Sequence, residues 1–341
     1  MFAHNKKQDS LFYYWLIISM LLVFFIILIG GLTRLTNSGL SITEWELFKG
    51  VLPPLTQDSW EEYFMLYKQI PQYKLINFEM TLSQFKVIFY WEYFHRVLGR
   101  IIGIFFLIPL IYFHFSKKIR TDLLVPCYLV LFLIITQGII GWFMVQSGLT
   151  NDVTVSHFRL SLHLTTAIVI LTTIFWIALN FKNETSKKFF NITKRNIPIL
   201  VLLFLVFLQI IFGAFVSGLD AGRLYQSWPL MGVSYIPNDI DLDSIGKFFD
   251  FNNHSLVQFY HRNIAYFIFG YAIILNTFIF RKKYTSLYKP ISYFNFLILI
   301  QVILGIITLI SNLNIFVALS HQIFGVILVI SAVNLYYCFA K

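Results

Sequence analysis

Long apolar runs alternate with short polar segments along nearly the whole chain. A bilayer core requires about 20 predominantly apolar residues per helix, and eight runs reach that length. They lie at roughly 12–32, 95–115, 123–146, 160–180, 198–218, 259–280, 290–311 and 316–339. Strand alternation is missing, and helices satisfy their own backbone polar groups in lipid. The pattern therefore predicts an all-α membrane protein with eight transmembrane helices.

The composition agrees with that prediction, and the placement of charge adds an orientation. The 341 residues are 58% hydrophobic and 12% charged, about half the charged fraction of a soluble protein. The net charge of +10 could suggest nucleic acid, but the basic residues fall in the N-terminal tail and in alternate short loops. They are Lys6, Lys7, Lys117, Lys118, Arg120, Lys182, Lys187, Lys188, Lys194, Arg195, Arg281, Lys282, Lys283 and Lys289. The positive-inside bias predicts that both termini and these loops are cytoplasmic, with no role in nucleic-acid binding.

The N-terminal segment and the cysteines favour a bacterial setting. The first span begins about a dozen residues into the chain, without a cleavable signal or an Arg/Ser-rich transit segment. We therefore expect a multi-pass protein of the bacterial cytoplasmic (inner) membrane, with the long segments 33–94 and 219–258 on the periplasmic side. Cys127 and Cys338 both lie in predicted spans, which suggests neither a disulfide framework nor a cysteine metal site.

The two halves of the chain repeat the same polar landmarks in the same order. Each half has a His-Arg pair opening its second span, a Gln-x-x-x-Gly pair in its third and a histidine in its fourth. The matching residues are His95-Arg96 with His261-Arg262, Gln137 and Gly141 with Gln301 and Gly305, and His163 with His321. The repetition predicts two duplicated four-helix bundles, residues 1–180 and 181–341, related by an axis roughly along the membrane normal.

Four histidines then lie at one depth, near the outer face and within the first few residues of their predicted helices. They are His95 and His163 in the first half, and His261 and His321 in the second. Intramembrane ionisable residues are functional candidates, and two imidazoles from facing helices of a bundle can hold a haem iron axially. Zinc or copper would want further ligands at each site. A proton relay is the other contender, although it does not need two-fold pairing.

Arginines next to these histidines are candidates for binding the propionates of a haem. Arg96 and Arg262 follow their histidines directly, and Arg100 and Arg159 can assist, because the guanidinium group recognises carboxylates through two parallel hydrogen bonds. The alternative is that these long side chains reach toward the membrane interface. The remaining histidines are expected to be solvated or structural: His4, His114, His157 and His254.

The halves differ at one informative position. Glu92 stands three residues before His95, so the two share a helix face, whereas Gln258 stands three residues before His261. A carboxylate can transfer protons or stabilise positive charge, and an amide cannot titrate. This difference suggests chemistry in the N-terminal half and a permanent, electron-passing haem in the C-terminal half. Glu92 could instead merely pair with Arg96 or lie in solvent.

At these residues the chain resembles the haem A synthase family over nearly its whole length. The resemblance lies in "GGLTRLTNSGLSITEW" (30–45), "GVLPPL" (50–55), "FYWEYFHRVLGR" (89–100), "VSHFRLSLHL" (155–164), "FGAFVSGLDAG" (212–222), "WPLMG" (228–232), "VQFYHRNIAY" (257–266) and "SHQ" (320–322). Some members carry a cysteine pair in the first outer loop. This chain has none there and resembles the cysteine-free, long-first-loop subgroup of proteobacteria and mitochondria.

The resemblance implies an activity and a set of site residues. The activity is oxidation of the C8 methyl of haem O to a formyl group by successive hydroxylations, giving haem A for terminal cytochrome oxidase. Haem b would be the bound iron cofactor on His261 and His321, His95 and His163 would hold the substrate haem O, and Glu92 would be catalytic. Contact with the farnesyltransferase that produces haem O is implied only by the resemblance. A homo-oligomer is compatible with it, and the electron acceptor stays open.

Two other functions share some of these features. A di-haem b-type electron-transfer cytochrome coupled to quinone would also need paired histidines, but it would not need Glu92 in one half alone. A transporter built on a parallel repeat predicts broken helices or charges at mid-bilayer depth, and the spans carry neither.

The first outer loop is expected to fold as a lid over the N-terminal pocket. Short polar residues and Gly39 in "TRLTNSGLSITEW" suit tight turns that cap a helix. The prolines of "LPPL" at 52–55 favour an extended segment. An unstructured linker is the alternative.

Overall fold

Long apolar helices make up most of the protein in the computed structural model, which describes residues 6–45, 49–117, 119–150, 152–240 and 244–340. His4 and Lys118, two residues considered above, lie outside these ranges. The chain divides into two compact units, Met1–Glu184 and Thr185–Lys341. Within the described ranges the only β-type pairing is an isolated bridge between Met231 and Ser234.

Ten α-helices occur in the described residues. The first unit contains α1 (Lys6–Leu35), α2 (Gln57–Tyr67), α3 (Pro71–Leu75), α4 (Leu82–Ser116), α5 (Thr121–Thr150) and α6 (His157–Lys182). The second contains α7 (Ile197–Gly218), α8 (His254–Arg281), α9 (Tyr288–Ile310) and α10 (Ile315–Phe339). All except α2 and α3 are long and apolar enough to cross a membrane. The predicted fold class, an all-α membrane protein with eight spanning helices, is confirmed.

The four long helices of each unit pack in the same cyclic order. In the first unit α1 contacts α4 and α6, and α5 also contacts α4 and α6. In the second unit α7 contacts α8 and α10, and α9 contacts the same two helices. The helices that carry the histidines are α4 and α6 in one unit, and α8 and α10 in the other, so each unit brings its own two histidine helices to a shared centre.

One predicted helix start was wrong. The helix that carries His95 begins at Leu82, because Thr81 and Gln84 form a capping box in which each side chain bonds the other residue's backbone N–H. His95 therefore lies more than three turns inside α4 rather than near its start. The other three histidines, His163, His261 and His321, lie about two turns into their helices. The polar residues of the first turns of α4 conceal this start from hydropathy.

The segment after α1 turns tightly, as its polar residues predict. The Ser38 N–H donates to the Thr33 carbonyl at 2.9 Å, the Thr36 and Ser38 hydroxyls lie 2.7 Å apart, and Asn37 has a φ of 52°. Asparagine tolerates this left-handed conformation better than most residues. After the turn, Ser41 and Ile42 lie against α4, where they contact Ile88 and Glu92.

The described residues between this turn and α4 are structured and do not form an unstructured linker. Trp60, Phe64 and Tyr67 of α2 are buried against Phe85 and Phe89 of α4. Burial raises the pKa of the Tyr67 phenol above its ordinary value. The loop therefore has a small aromatic core of its own, which extends the first unit beyond its spanning helices.

A carboxylate anchors the segment between α7 and α8 of the second unit. Asp239 accepts hydrogen bonds from the Tyr225 hydroxyl at 2.7 Å and from the Ser255 hydroxyl in the first turn of α8. Desolvation would raise the pKa of Asp239, but these hydrogen bonds outweigh it and hold the pKa below its ordinary value. The ionised Asp239 thus anchors this segment to the start of α8.

Candidate functional site

The N-terminal histidine pair forms across the first unit. His95 of α4 and His163 of α6 have ring centroids 6.4 Å apart, with their planes inclined by 60°. The buried Nδ1 atom of each ring has no hydrogen-bond partner among the described residues. Each ring also lies on a glycine of the neighbouring helix: a Cβ built on Gly30 or Gly141 would stand 3.0 Å from Cε1 of the ring it faces.

The C-terminal pair repeats this spacing of rings and glycines in the second unit. The rings of His261 on α8 and His321 on α10 have centroids 6.4 Å apart, with planes inclined by 81°. A Cβ on Gly213 would lie 3.1 Å from Cε1 of His261, and a Cβ on Gly305 would lie 3.0 Å from Cε1 of His321. The structure therefore brings together the four histidines singled out from the sequence, as one pair within each unit.

The glycines beneath the rings were only partly found from the sequence. Gly141 and Gly305 stood out because a glutamine precedes each by four residues, but Gly30 and Gly213 did not. The signal was available for Gly213, since "QIIFG" at 209–213 repeats the Gln-x-x-x-Gly pattern. It was missing for Gly30, where Ile26 takes the place of the glutamine. A side chain at any of these positions would push the imidazole aside.

Both pairs fit an axially held iron. Two imidazoles that bind one metal from opposite sides, each at about 2 Å, have centroids separated by roughly 6 Å, close to the 6.4 Å of each pair. Haem iron takes such histidine ligands in bundle cores. Among the described residues, no three His, Cys, Asp or Glu side chains form a group that could hold a metal ion. Each unit thus offers one pair of imidazoles, the kind of ligand pair that a haem iron takes.

Glu92 is buried beside the N-terminal pair, with 3% of its surface exposed. Its Oε2 accepts the Ser41 hydroxyl at 2.7 Å and the Ile42 N–H at 2.9 Å. Its Oε1 accepts Nε and Nη2 of Arg96 at 3.0 and 2.6 Å. Of the two alternatives for Glu92, pairing with Arg96 is present and a solvent position is not. Four hydrogen bonds, two of them from the cationic Arg96 guanidinium, therefore hold the Glu92 carboxyl group in place.

Arg96 fastens the same outer segment from the other side. Its Nη2 donates to the Ile42 carbonyl at 2.9 Å, and its Nη1 to the Glu44 carbonyl at 3.3 Å. The guanidinium also lies 5.5 Å from the Trp45 ring centroid. Glu92 and Arg96 together hold residues 41–45 against α4 at the turn that precedes His95.

Gln258 and Arg262 occupy the equivalent positions in the second unit. The segment that they hold offers them carbonyl oxygens, which accept hydrogen bonds. Gln258 Nε2 donates to the Tyr225 carbonyl at 2.9 Å. Arg262 donates to the same carbonyl at 2.7 Å, to that of Ser227 at 2.9 Å and to that of Leu230 at 3.3 Å. The C-terminal segment thus presents carbonyls to an amide, whereas the N-terminal segment presents an N–H and a hydroxyl to a carboxylate. Each side chain therefore suits its partners: the Glu92 carboxylate accepts from donors, and the Gln258 amide donates to a carbonyl.

The two remaining candidate arginines lie in different surroundings. Arg100 lines a recess beneath the first outer segment together with Tyr93 and Arg96. Arg159 donates to the Phe143 carbonyl at 2.7 Å and stacks 3.7 Å over that ring. Propionate binding by Arg96, Arg100, Arg159 or Arg262 stays a prediction. Arg96 and Arg262 already use donors on the outer segments.

Three other histidines lie away from the pairs. His157 is buried at the start of α6, and His254 is exposed at the start of α8. His114 Nδ1 lies 2.6 Å from the Tyr128 hydroxyl near the far end of α4.

The fold and the two histidine pairs define a multi-pass, all-α membrane protein of the class that can hold haem between its helices. A family model described as "Cytochrome oxidase assembly protein" (COX15-CtaA) matches residues 13–333, and the chain belongs to this family.

Individual relatives agree with the family match. The chain is 50% identical over 298 residues to a heme A synthase of Pelagibacter ubique, an alignment that covers 86% of each chain. It is 43% identical over 301 residues to a heme A synthase of Flavobacterium psychrophilum, covering 86% of this chain and 88% of the relative. A heme A synthase of Rickettsia felis is 39% identical over 301 residues, covering 87% of this chain and 88% of the relative. The family predicted from the sequence is confirmed.

Proposed function

We propose that this chain converts haem O to haem A, oxidising the C8 methyl of the porphyrin to a formyl group for use in terminal cytochrome oxidase. One observation carries the proposal. The two histidine pairs have the same 6.4 Å separation, yet among the described residues only the N-terminal pair has a buried carboxylate one helical turn away. A chain that only carried electrons would need no such difference. Its relatives in Pelagibacter ubique and Flavobacterium psychrophilum are heme A synthases, which supports the same reaction.

The two pairs divide the work. His261 and His321 hold haem b as a permanent cofactor, and His95 and His163 hold the substrate haem O. Bound haem b would supply the redox centre through which electrons leave the substrate site. The closed cycle of four helices in each unit supports the assignment of one haem to each, and it also supports the predicted duplication.

Glu92 supplies the charge that distinguishes the substrate site. Its carboxylate is held beside His95 by Arg96, Ser41 and Ile42. Held there, it can accept a proton from the substrate side or stabilise positive charge that develops during oxidation. The segment 36–45 acts as the predicted lid, because its hydrogen bonds to Glu92 and Arg96 keep it against α4 at the turn that precedes His95.

We place the protein in the bacterial inner membrane with both termini in the cytoplasm and both haem sites toward the periplasm. The basic residues of the short loops support this orientation through the positive-inside bias. Contact with the farnesyltransferase that produces haem O, and self-association, complete the proposal.

The experiment that tests the proposal identifies the bound haems. The protein is purified in detergent, its haems are extracted, and they are separated by chromatography and measured as pyridine haemochromes. Haem b together with haem O or haem A is the expected result. Two equivalents of haem b alone would instead favour a di-haem electron carrier, which the equal separations of the two pairs also fit. A protein without haem would overturn both.

A further inference from the structure

Three of the four histidines are held by a glutamine through their own backbone. In each case the side-chain amide of a glutamine on the neighbouring helix donates to the histidine's carbonyl oxygen, an arrangement that we call a glutamine clasp. The three clasps are Gln137 to His163 at 2.9 Å, Gln209 to His261 at 3.0 Å, and Gln301 to His321 at 3.0 Å.

Each clasp lies one turn from the glycine on which the imidazole rests. Gln137, for example, precedes Gly141 by four residues, so the two lie on one face of α5. The glutamine fixes the backbone of the histidine, and the glycine fixes the position of its ring. In lipid no water replaces a broken interhelical hydrogen bond, so the clasp restrains the helix turn that carries the ligand.

Within the described parts of the chain, the fourth histidine, His95, has no such clasp. Ile26 stands four residues before Gly30, at the position of the three glutamines, and an isoleucine side chain has no donor to offer the His95 carbonyl. The small residue that accommodates a clasp is nevertheless present. Gly99 follows His95 by four residues, as Gly325 follows His321, and Gln301 Nε2 lies 3.2 Å from where a Cβ on Gly325 would be.

We propose that His95 is the exchangeable ligand and that the clasps make His163, His261 and His321 the permanent ones. The inference rests on the proposed function, in which one haem is a resident cofactor and the other enters and leaves. The C-terminal pair has two clasps and retains its haem. The N-terminal pair has one, so its haem can part from His95 while it is still held by His163. Ile26 is thus a positioning residue that acts through its lack of a donor.

Ile26→Gln, which supplies the missing clasp, tests the proposal directly, with Ile26→Leu as the matched apolar control. The purified protein is loaded with haem b as the probe for both pairs and reduced. Carbon monoxide binding is then followed by stopped-flow absorbance, because carbon monoxide must displace one axial imidazole. We expect Ile26→Gln to slow binding at the fast-reacting haem about threefold to tenfold, the effect of one interhelical hydrogen bond in a membrane protein. Ile26→Leu should leave the rate unchanged.

Removing clasps gives an independent test that does not depend on the folding of Ile26→Gln. Gln137→Leu should speed carbon monoxide binding at the N-terminal haem by up to about twofold, because His163 then becomes as exchangeable as His95. Gln301→Leu should allow binding at the C-terminal haem, which is unreactive in the unaltered protein. Gly138→Ala, at a helix position with no other group within 4 Å of the added Cβ, controls for general effects of substitution in α5.

The outcomes separate this inference from the proposed function. If haem is bound and the rates of Ile26→Gln and Gln137→Leu both equal that of the unaltered protein, the clasps do not control ligand exchange and the inference is wrong. Fast binding of carbon monoxide at both haems of the unaltered protein would also overturn it. A protein that binds no haem at all would instead overturn the proposed function.

Discussion

The Glu92 carboxylate shares a helix face with His95, and two of its hydrogen-bond partners lie far from it in the chain. Its spacing from His95 and its replacement by Gln258 in the other half mark it as distinctive from the sequence alone. Its partners Ser41 and Ile42 could not be predicted, because they lie about 50 positions away and meet it only after the chain turns back over α4. Spacing along the chain predicts which side chains share a helix face, but it does not predict contacts between distant parts of the chain.

Glu92→Gln is expected to abolish haem A formation and to leave haem b in place. The amide cannot titrate, and it leaves the Arg96 guanidinium without its anionic partner, which weakens the hold on residues 41–45. Extracted haems, separated by chromatography, provide the measurement. Glu62→Gln, which alters an exposed carboxylate of α2, is the control. Unchanged haem A production in Glu92→Gln would exclude an essential carboxylate.

Ser41→Ala is expected to loosen the lid without removing the charge. It deletes one hydrogen bond to a carboxylate, worth about 1.5–3 kcal/mol, so the protection of the Ile42 amide should fall roughly tenfold or more. Hydrogen–deuterium exchange of the peptide that covers residues 36–45 measures this. Ser83→Ala, at an exposed position of α4, should leave that exchange unchanged. Equal protection in both variants would mean that Ser41 does not fasten the segment.

At the scale of elements, hydropathy located all eight spanning helices but misplaced the start of α4. The apolar window began near residue 95, whereas the Thr81–Gln84 capping box begins the helix at Leu82. The S/T-x-x-Q signal was readable in the sequence. Hydropathy misses it because it averages the amphipathic first turns into the loop. The contacts of α2 with α4 depend on that extension, so they too escaped prediction.

Gly305→Ala tests the contact between a helix and the imidazole resting on it. The added Cβ would stand 3.0 Å from Cε1 of His321, so the ring must tilt or shift by a few tenths of an ångström. We expect haem b occupancy of the C-terminal pair to fall severalfold and its low-spin electron paramagnetic resonance signal to shift. Gly270→Ala, where no other group lies within 4 Å, is the matched control. Identical spectra for the two variants would remove the steric role of Gly305.

The anchor at Asp239 predicts a pH dependence for the outer segment of the second unit. Its pKa is lowered in the folded protein. Its contribution to stability is therefore present above the ordinary aspartate value of about 3.9 and is lost as the pH falls through the lowered pKa. The protein should melt at a higher temperature than Asp239→Asn well above the ordinary aspartate pKa, and the difference should shrink as the pH falls through the lowered pKa. A constant difference across that range would show that Asp239 acts without its charge.

For the whole molecule, the repeated polar residues predicted more of the helix arrangement than the apolar runs did. Apolar periodicity established the number of helices, and the repeated His, Arg, Gln and Gly positions indicated which helices meet. The arrangement inside each unit, with α1 between α4 and α6, could not be derived from the sequence. Several cyclic orders of four helices would place two histidines together.

Because each histidine pair lies within one unit, the two proposed haem sites should be separable by substitution. His261→Ala is expected to remove haem b, since a single imidazole loses the axial clamp, while the N-terminal site keeps its ligand. His95→Ala should retain haem b and lose haem A formation. Haem b per chain, measured as the pyridine haemochrome, distinguishes the two variants. Loss of haem b in both, with normal folding by circular dichroism, would contradict separate sites.

The contact between a glycine and an imidazole also has a consequence for protein design. Each one joins two helices that follow one another in the chain among the spanning helices, as Gly213 of α7 meets His261 of α8. A hairpin of two helices is therefore a self-contained module that presents one correctly oriented ligand. Two such modules supply the two histidines that one iron would need. At about 20 residues per membrane span, they would form a scaffold of fewer than 100 residues. The strength of iron binding could then be varied in one hairpin at a time.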